Sequence, residues 1–144
     1  MVSIRHMITA LGLCATSAIA AVATIPVVYP YGDTLLGGQS LLKNQGLISD
    51  SGQYILVVQG DNNLVIYYQK SNAVFATLTN NYNIDHATLG TDGTFAVYDT
   101  GDVARWTSNS ARTDGGHFRM VLGDDGILTI SETIQTKRIG HGLS

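Results

Sequence analysis

Alternating polar and apolar positions run from Val57 to Tyr67 and predict a β-strand with one wet face. On an extended chain every second side chain points to the same side. Val58, Leu64 and Ile66 are apolar and would seal a core. The residues that would point to the opposite face are Gln59, Asp61, Asn63, Val65 and Tyr67, which supply two amides, a carboxylate, a small apolar side chain and a phenol. The pattern therefore predicts that these side chains share one exposed face of a single strand.

The same pattern recurs twice further along the chain, over Leu89–Tyr98 and Leu122–Ser131. Aspartates stand at equivalent points, Asp61, Asp92 and Asp125, and are 31 and 33 residues apart. Each repeat has an apolar pair for its inner face, at Leu64/Ile66, Phe95/Val97 and Leu128/Ile130. One such sheet cannot cover its own apolar side, so three must close on a shared centre. Together with dense turn signals, this predicts an all-β fold of three pseudo-threefold-related antiparallel sheets.

The predicted polar face has the chemistry to bind a neutral polyol. Amides and phenols both donate and accept hydrogen bonds, and the carboxylate of Asp61 can grip two neighbouring hydroxyls with charge-assisted bonds. A sugar ring presents hydroxyls at its edge and aliphatic C–H groups on its flank, for which Val65 offers a small apolar patch. An ordinary solvated strand is the alternative interpretation, because alternation is the default for an antiparallel sheet with one wet face.

The residue types favour sugar binding over that alternative. The motif Gln59-x-Asp61-x-Asn63-x-Val65-x-Tyr67 resembles, at every position, the mannose-binding signature of the bulb-type (snowdrop-like, monocot) mannose-binding lectins. The resemblance extends over Asp33–Asn109, where Trp106–Asn109 is similar to the family's Trp-x-Ser-Asn element, and is weaker over His117–Ser131. It implies a type II β-prism and non-catalytic binding of mannose or oligomannose.

The resemblance also implies a role for each residue of the motif. Gln59, Asp61, Asn63 and Tyr67 would hydrogen-bond the ring hydroxyls. Asp61 and Asn63 would meet the axial 2-hydroxyl that separates mannose from glucose, while Val65 would pack on ring carbons. No metal or other cofactor is needed, since protein groups supply all the contacts.

The three repeats differ at the positions of the motif. The second repeat has Gly90, Asp92, Thr94, Ala96 and Tyr98 there, so both amides are lost, and Asp92, Thr94 and Tyr98 make at most a weak second site. The third repeat has Gly123, Asp125, Ile127, Thr129 and Ser131, and its Asp-Gly pair is also a good turn. A second hypothesis is therefore a β-prism that binds a protein partner and whose sugar binding is vestigial.

The N-terminal segment predicts export. Met1–His6 carries Arg5, and an apolar run of small residues continues to Ala23, as in a cleaved secretory signal. A membrane anchor is the alternative, but the run is short. We expect a signal peptide over 1–23, a lead-in over 24–32 and a lectin domain over 33–144, hence a secreted protein. The chain's one cysteine, Cys14, would leave with the signal.

Charge and side-chain spacing argue against other functions. The chain has 8 basic and 11 acidic residues without a basic cluster, which disfavours nucleic acids and anionic membranes as partners. Asp124 and Asp125 are adjacent and would point to opposite faces of a strand, unlike the paired carboxylates of a glycosidase. The histidines lack metal-ligand spacing, at His86, His117 and His141. The chain is therefore not expected to be an enzyme or to bind a metal.

Features implied by the resemblance are missing in three places. The family's disulfide cysteines would align with Asn62 and Asp85, so no disulfide is expected. Family chains end in a Trp-containing strand that is exchanged between subunits, but Glu132–Ser144 has no Trp. Phe75 stands where the family often has Trp, and with Trp106 it is expected to fill the prism centre. We expect either a homodimer formed through another surface, or a monomer that makes extended contacts with oligomannose.

Overall fold

The structure is a computed structural model and describes residues 26–113 and 116–133. These residues form eleven β-strands and no helix. The strands are β1 Thr34–Leu36, β2 Ser40–Leu42, β3 Gly46–Ile48, β4 Tyr54–Val58, β5 Leu64–Tyr68, β6 Asn72–Ala76, β7 Ile84–Leu89, β8 Phe95–Asp99, β9 Ala104–Thr107, β10 His117–Leu122 and β11 Leu128–Thr133. The expectation of an all-β chain is confirmed.

Strand pairing produces three antiparallel sheets. Their strand orders are β3-β4-β5-β6, β2-β7-β8-β9 and β1-β10-β11. The chain first lays one short strand in each sheet and then completes the sheets in turn with consecutive hairpins. Each short strand contributes one fully buried leucine to the centre, at Leu35, Leu41 and Leu47. The expected arrangement of three sheets around one centre is confirmed.

The core is built from the inner faces of all three sheets. Leu64 and Ile66 of β5 and Phe95 and Val97 of β8 are buried in it, as the alternation predicts. Leu128 and Ile130 of β11 are partly buried and pack against the same cluster. Burying each large apolar side chain stabilises the fold by about 1.5–3 kcal/mol. The shared core explains why the apolar pairs recur in every repeat.

The aromatic residues at the prism centre are unequal. Trp106 packs against the core, with its ring centroid 6.3 Å from that of Phe95 and 5.8 Å from that of Phe75. Phe75 remains exposed, so the expectation that it fills the centre is wrong. It stands instead at the margin of an apolar cavity of about 310 Å³ that is also lined by Trp106, Met120 and Ile130.

Part of the lead-in joins the folded domain, because Val28 forms a parallel bridge with Gln45. The predicted signal peptide with Cys14, and the tail from residue 134 onward, lie outside the described residues. Within 26–113 and 116–133 no helix is long and apolar enough to cross a bilayer.

Candidate functional site

The residues of the motif lie on a hairpin and not on one strand. Val65 and Tyr67 belong to β5, whereas Gln59 and Asp61 lie in the turn that joins β4 to β5. The chain reverses there: the Gln59 N–H donates to the Asn63 carbonyl at 2.8 Å, and Asn62 has a φ of 71°. The prediction of a single extended strand is therefore wrong, because a left-handed residue interrupts it.

The hairpin nevertheless brings the motif together. Val58 pairs with Leu64, so Gln59 and Asn63 stand opposite each other and share a face with Val65 and Tyr67. The amide nitrogen of Gln59 donates to the Tyr67 hydroxyl at 2.5 Å. This bond leaves the amide oxygen of Gln59 and the hydroxyl proton of Tyr67 available to a ligand.

Asn63 is held in one orientation by the loop after β6. Its side-chain oxygen accepts a hydrogen bond from the Leu78 N–H at 2.9 Å and lies 3.3 Å from the hydroxyl oxygen of Thr77. Asn63 is only 9% exposed. Because the Leu78 N–H bonds to the oxygen, the amide NH₂ group of Asn63 is the group left to face a ligand. Asn63 is therefore held as a donor.

Asp61 supplies the complementary acceptor. Its Oδ1 atom accepts a hydrogen bond from the Asn63 N–H at 3.1 Å. Among the described residues nothing bonds to Oδ2, and the residue is exposed. A free carboxylate oxygen beside an amide donor can bind neighbouring hydroxyls of one ligand. Asp61 and Asn63 thus form an acceptor and donor pair.

Val65 differs from the expectation of an exposed apolar patch. It is only 3% exposed and pairs with Val57 on one side and Ala76 on the other. The polar residues of the motif surround Val65 on the same face of the sheet, and Val65 itself is buried between them. It can offer little surface to a ligand.

The loop after β6, which the sequence pattern did not single out, clamps the turn of the motif. The Thr79 hydroxyl donates to the Asn62 carbonyl at 2.8 Å, and the Asn80 amide donates to the Asp61 carbonyl at 3.1 Å. Asn62 is also tied to β7, because its side-chain oxygen accepts from the Ile84 N–H at 3.1 Å. The only signal of this clamp in the sequence is the cluster of threonines and asparagines over 77–81.

Comparison with known proteins decides the family. No family model matches the sequence. The mannose-specific lectin of Aloe arborescens is 31% identical to it over 99 residues, which cover 68% of this chain and 89% of that protein. The chain belongs to the bulb-type mannose-binding lectins. This membership agrees with the expectation that it is not an enzyme.

Solved structures of lectins agree in fold. A lectin from Allium sativum is 30% identical with a TM-score of 0.65, covering 73% of this chain and 99% of that one. The mannose-specific agglutinin of snowdrop (Galanthus nivalis), solved with methyl-α-D-mannoside, has the same TM-score of 0.65 at 24% identity, covering 76% and 97%. The β-prism II fold is thereby established for this lectin.

The second repeat of the lectin keeps the turn but not the amides. Asp92 accepts from the Thr94 N–H at 3.0 Å, as in the first repeat. Among the described residues no group bonds to the Tyr98 hydroxyl; the Tyr98 ring stacks on His86, with centroids 5.1 Å apart. His86 in turn lies 2.8 Å from the Asp85 carboxylate. The face therefore brings Asp92, Thr94 and Tyr98 together without an amide.

The third repeat of the lectin keeps only the turn. Asp125 accepts from the Ile127 N–H at 3.0 Å, and Ile127 is exposed. Asp124 accepts from the Ser51 N–H at 2.8 Å. Both aspartates therefore have structural roles. In the described part of the chain no group of three His, Cys, Asp or Glu side chains is placed to hold a metal ion.

Proposed function

We propose that this chain is a secreted lectin that binds mannose or oligomannose without catalysis through Gln59, Asp61, Asn63 and Tyr67. One observation carries the proposal: Asn63 is locked as a donor beside the free carboxylate oxygen of Asp61. A pair of this kind suits a hydroxyl that donates to the acid and accepts from the amide. In the proposed pose that hydroxyl is the axial 2-hydroxyl of mannose.

The remaining groups complete the binding of the ring. The amide oxygen of Gln59 and the hydroxyl of Tyr67, already bonded to each other, meet the next ring hydroxyls. Val65 lies beneath the sugar, and its burial limits its contact with ring carbons. Asp92, Thr94 and Tyr98 form a weaker second site in this proposal, since no amide stands beside Tyr98.

The expected affinity for one monosaccharide is low. Four or five hydrogen bonds, each contributing about 0.5–1.5 kcal/mol net, give roughly 4 kcal/mol, which corresponds to millimolar affinity. Useful binding of mannose-containing glycans then requires either a homodimer or contacts along an oligomannose chain. Light scattering, with mannose and mannotriose titrated in parallel, distinguishes these two arrangements.

The direct test is a titration of the purified protein with methyl α-mannoside and methyl α-glucoside, monitored by amide NMR shifts. We expect the mannoside to shift signals around Asp61 and Asn63 with millimolar affinity, and the glucoside to bind more weakly because its 2-hydroxyl is equatorial. Equal binding of the two sugars would contradict the role given to the axial hydroxyl. No binding would exclude the site.

Secretion rests on the sequence pattern of residues 1–23. The mass of the exported protein should place its first residue between Ala21 and Ile25, without Cys14. A product that keeps Cys14, or that carries a lipid on it, would contradict the proposal.

The second candidate function is binding of a protein partner by a prism whose sugar binding is vestigial. It is favoured by the loss of the amides from the second and third repeats and by the exposed Ile127 at the third turn. If the wild-type protein binds no mannoside and no oligomannose on a glycan array, that result would favour this function.

A further inference from the structure

The third sheet of the lectin has one strand fewer than the other two. The sheets β3-β4-β5-β6 and β2-β7-β8-β9 have four strands each, whereas β1-β10-β11 has three within the described residues. In the two larger sheets the fourth strand, β6 or β9, returns along β5 or β8 after a short turn. The corresponding strand of the third sheet is β11, which carries the third apolar pair, Leu128 and Ile130. Among the described residues no strand pairs with its outer edge.

An apolar cavity lies where a fourth strand of this sheet would reach the core. Phe75 of β6 pairs with Ile66, and Trp106 of β9 pairs with Val97. Both rings line the cavity of about 310 Å³, and their centroids are 5.8 Å apart. Ile130, which corresponds to Ile66 and Val97 in the third repeat, lines the same cavity. Two sheets therefore supply a side chain from their fourth strand to this cavity, and in the described part of the chain the third sheet does not.

The two existing fourth strands pair at identical offsets in the sequence, of six, nine and eleven residues. The pairs are Tyr67–Ala73, Ile66–Phe75 and Val65–Ala76 in one sheet, and Tyr98–Ala104, Val97–Trp106 and Ala96–Thr107 in the other. In β11 the offset of six leads from Ser131 to Lys137. The offset of nine leads from Ile130 to Ile139. The sequence thus has an apolar residue at the position that Phe75 and Trp106 hold in the other sheets.

A charged pair gives a second, independent match. In the second sheet Asp99 is bonded by Arg105, six residues later, at 2.7 Å. Glu132 is the corresponding acid of the third sheet, and its side chain is only 11% exposed. Its Oε2 atom lies 3.6 Å from Arg112, but its buried Oε1 atom has no hydrogen-bond partner among the described residues. A buried carboxylate oxygen without a partner is costly. The residue six positions after Glu132 is Arg138.

We propose that the chain's own tail, residues 134–144, forms the fourth strand of the third sheet, with Ile139 in the apolar cavity and Arg138 paired with Glu132. Filling the cavity removes apolar surface from water and restores dense packing. The equal offsets favour a short hairpin within one chain, because a strand from a second copy is not joined to β11 by a turn and need not keep this register. The lectin then closes its prism without exchanging a strand. This inference is independent of the mannose site.

The first test uses Trp106, the chain's one tryptophan, which borders the cavity. Ile139→Asn should shift its fluorescence emission to the red and lower the melting temperature by several degrees, because a polar side chain enters an apolar site. The matched control is Ile134→Asn, which changes a position that corresponds to the turn residues Lys70 and Gly101. It should leave both properties near those of the wild type. Equal effects of the two variants would overturn the proposal. If Ile139→Asn fails to fold, Ile139→Ala provides the same comparison.

The charged pair is tested by removing one positive charge at each of two neighbouring positions. Arg138→Gln should lower the melting temperature at pH 7, because it leaves Glu132 without the proposed partner. Lys137→Gln should have little effect, since by the same offsets its side chain points to the outer face. Equal melting temperatures of the two variants would show that Arg138 does not pair with Glu132.

A disulfide separates the chain's own tail from that of a second copy. In a chain with Cys14→Ser, the pair Ser131→Cys and Lys137→Cys would place cysteines at cross-strand positions, where Cα atoms are about 4.5–5.5 Å apart and a disulfide fits. Oxidation at high dilution should give a monomer that has lost two hydrogens in its intact mass. The control pair, Ser131→Cys with Gly140→Cys, should stay reduced, because its Cα atoms would be more than about 7 Å apart. A covalent dimer would assign the strand to a second copy, and bridging in neither pair would overturn the register; each result contradicts the proposal.

Discussion

The turns of the first and second repeats have the same backbone hydrogen bonds but present different side chains to solvent. Both close with a hydrogen bond across the turn, from the Gln59 N–H to Asn63 at 2.8 Å and from the Gly90 N–H to Thr94 at 2.7 Å. Both have an aspartate whose Oδ1 accepts from the N–H two residues later. The repeated aspartate is therefore required by the turn itself. The first turn is distinguished by its two amides.

Glycines stand in the second and third repeats where the first repeat has Gln59. A Cβ atom at Gly90 would lie 2.7 Å from the Oδ1 of Asp92, and one at Gly123 would lie 2.6 Å from that of Asp125. In these repeats the carboxylate occupies the space that a side chain at the glycine would need. Gln59 has a side chain at this position and uses it to reach Tyr67. An aspartate in a prism repeat is thus insufficient evidence for a sugar site.

The largest expected effect concerns Asn62, which stands where the second turn has Gly93. Asn62→Ala should lower the free energy of unfolding by about 2–4 kcal/mol, because it leaves the buried Ile84 N–H unpaired and places alanine at positive φ. Asn62→Gly copies the second turn and removes the φ penalty, so it should lose only the hydrogen-bond part. Urea unfolding measures both. Two variants as stable as the wild type would show that the turn does not depend on its bond to β7.

The next effect separates the two aspartates by function. Asp61→Asn keeps an oxygen for the turn but removes the charge, and charged hydrogen bonds contribute about 1.5–3 kcal/mol. Mannoside affinity should fall roughly 10- to 100-fold in this variant. Asp92→Asn makes the same change in the second turn and should leave the affinity of the first, tighter site as it is, with a similar small effect on melting. Calorimetric titration with methyl α-mannoside, or NMR where heats are small, compares them. Equal affinities in the two variants would contradict the site.

A smaller effect is expected from two equivalent loops, Thr77–Thr79 after β6 and Ser108–Ser110 after β9. Thr77→Val keeps the shape of the side chain but removes the hydroxyl that bonds to Thr79 at 2.9 Å and holds the loop whose Leu78 N–H orients Asn63. It should therefore weaken mannoside binding several-fold and lower stability by about 1 kcal/mol. Ser108→Ala removes the equivalent hydroxyl of the loop after β9, which accepts from the Phe95 N–H at 2.9 Å. It should lower stability alone. If both variants weaken binding equally, the effect is on the fold and not on the orientation of Asn63.

Sequence alone predicted the sheets because burial dictates them. The apolar pairs at Leu64/Ile66 and Phe95/Val97 have to face a centre, and period-two spacing leaves no other arrangement. It failed at 59–63 because alternation continues through a hairpin whose two ends share a face. Gln59 and Asn63 were rightly placed on one surface, although they are partners across a turn and not neighbours along a strand.

The site could be predicted only as a set of residue types. The sequence indicated amides, a carboxylate and a phenol, but the orientation of Asn63 depends on Leu78, which is distant in sequence and has no chemical signal of its own. The burial of Val65 was equally hidden, since it comes from Val57 and Ala76 on the adjoining strands. The orientation of Asn63 and the burial of Val65 both depend on contacts between distant parts of the chain, which the local pattern of residue types does not reveal.

The smallest expected effect comes from the far ends of the two hairpins, where Asp99 in β8 takes the place that Tyr68 has in β5. The Val103 N–H, together with the Arg105 guanidinium at 2.7 Å, holds the pKa of Asp99 below its usual value. A lowered pKa in the folded state adds stability above the ordinary carboxyl pKa of about 4, and that stability is lost as the pH falls through the folded value. Asp99→Asn should therefore be less stable than the wild type at pH 7, and the difference should shrink as the pH falls below about 4. Melting curves from pH 7 to pH 2 measure this, with Asp102→Asn as a control in the same turn. A difference that stays constant with pH would show that Asp99 acts through its shape and hydrogen bonds and not through its charge.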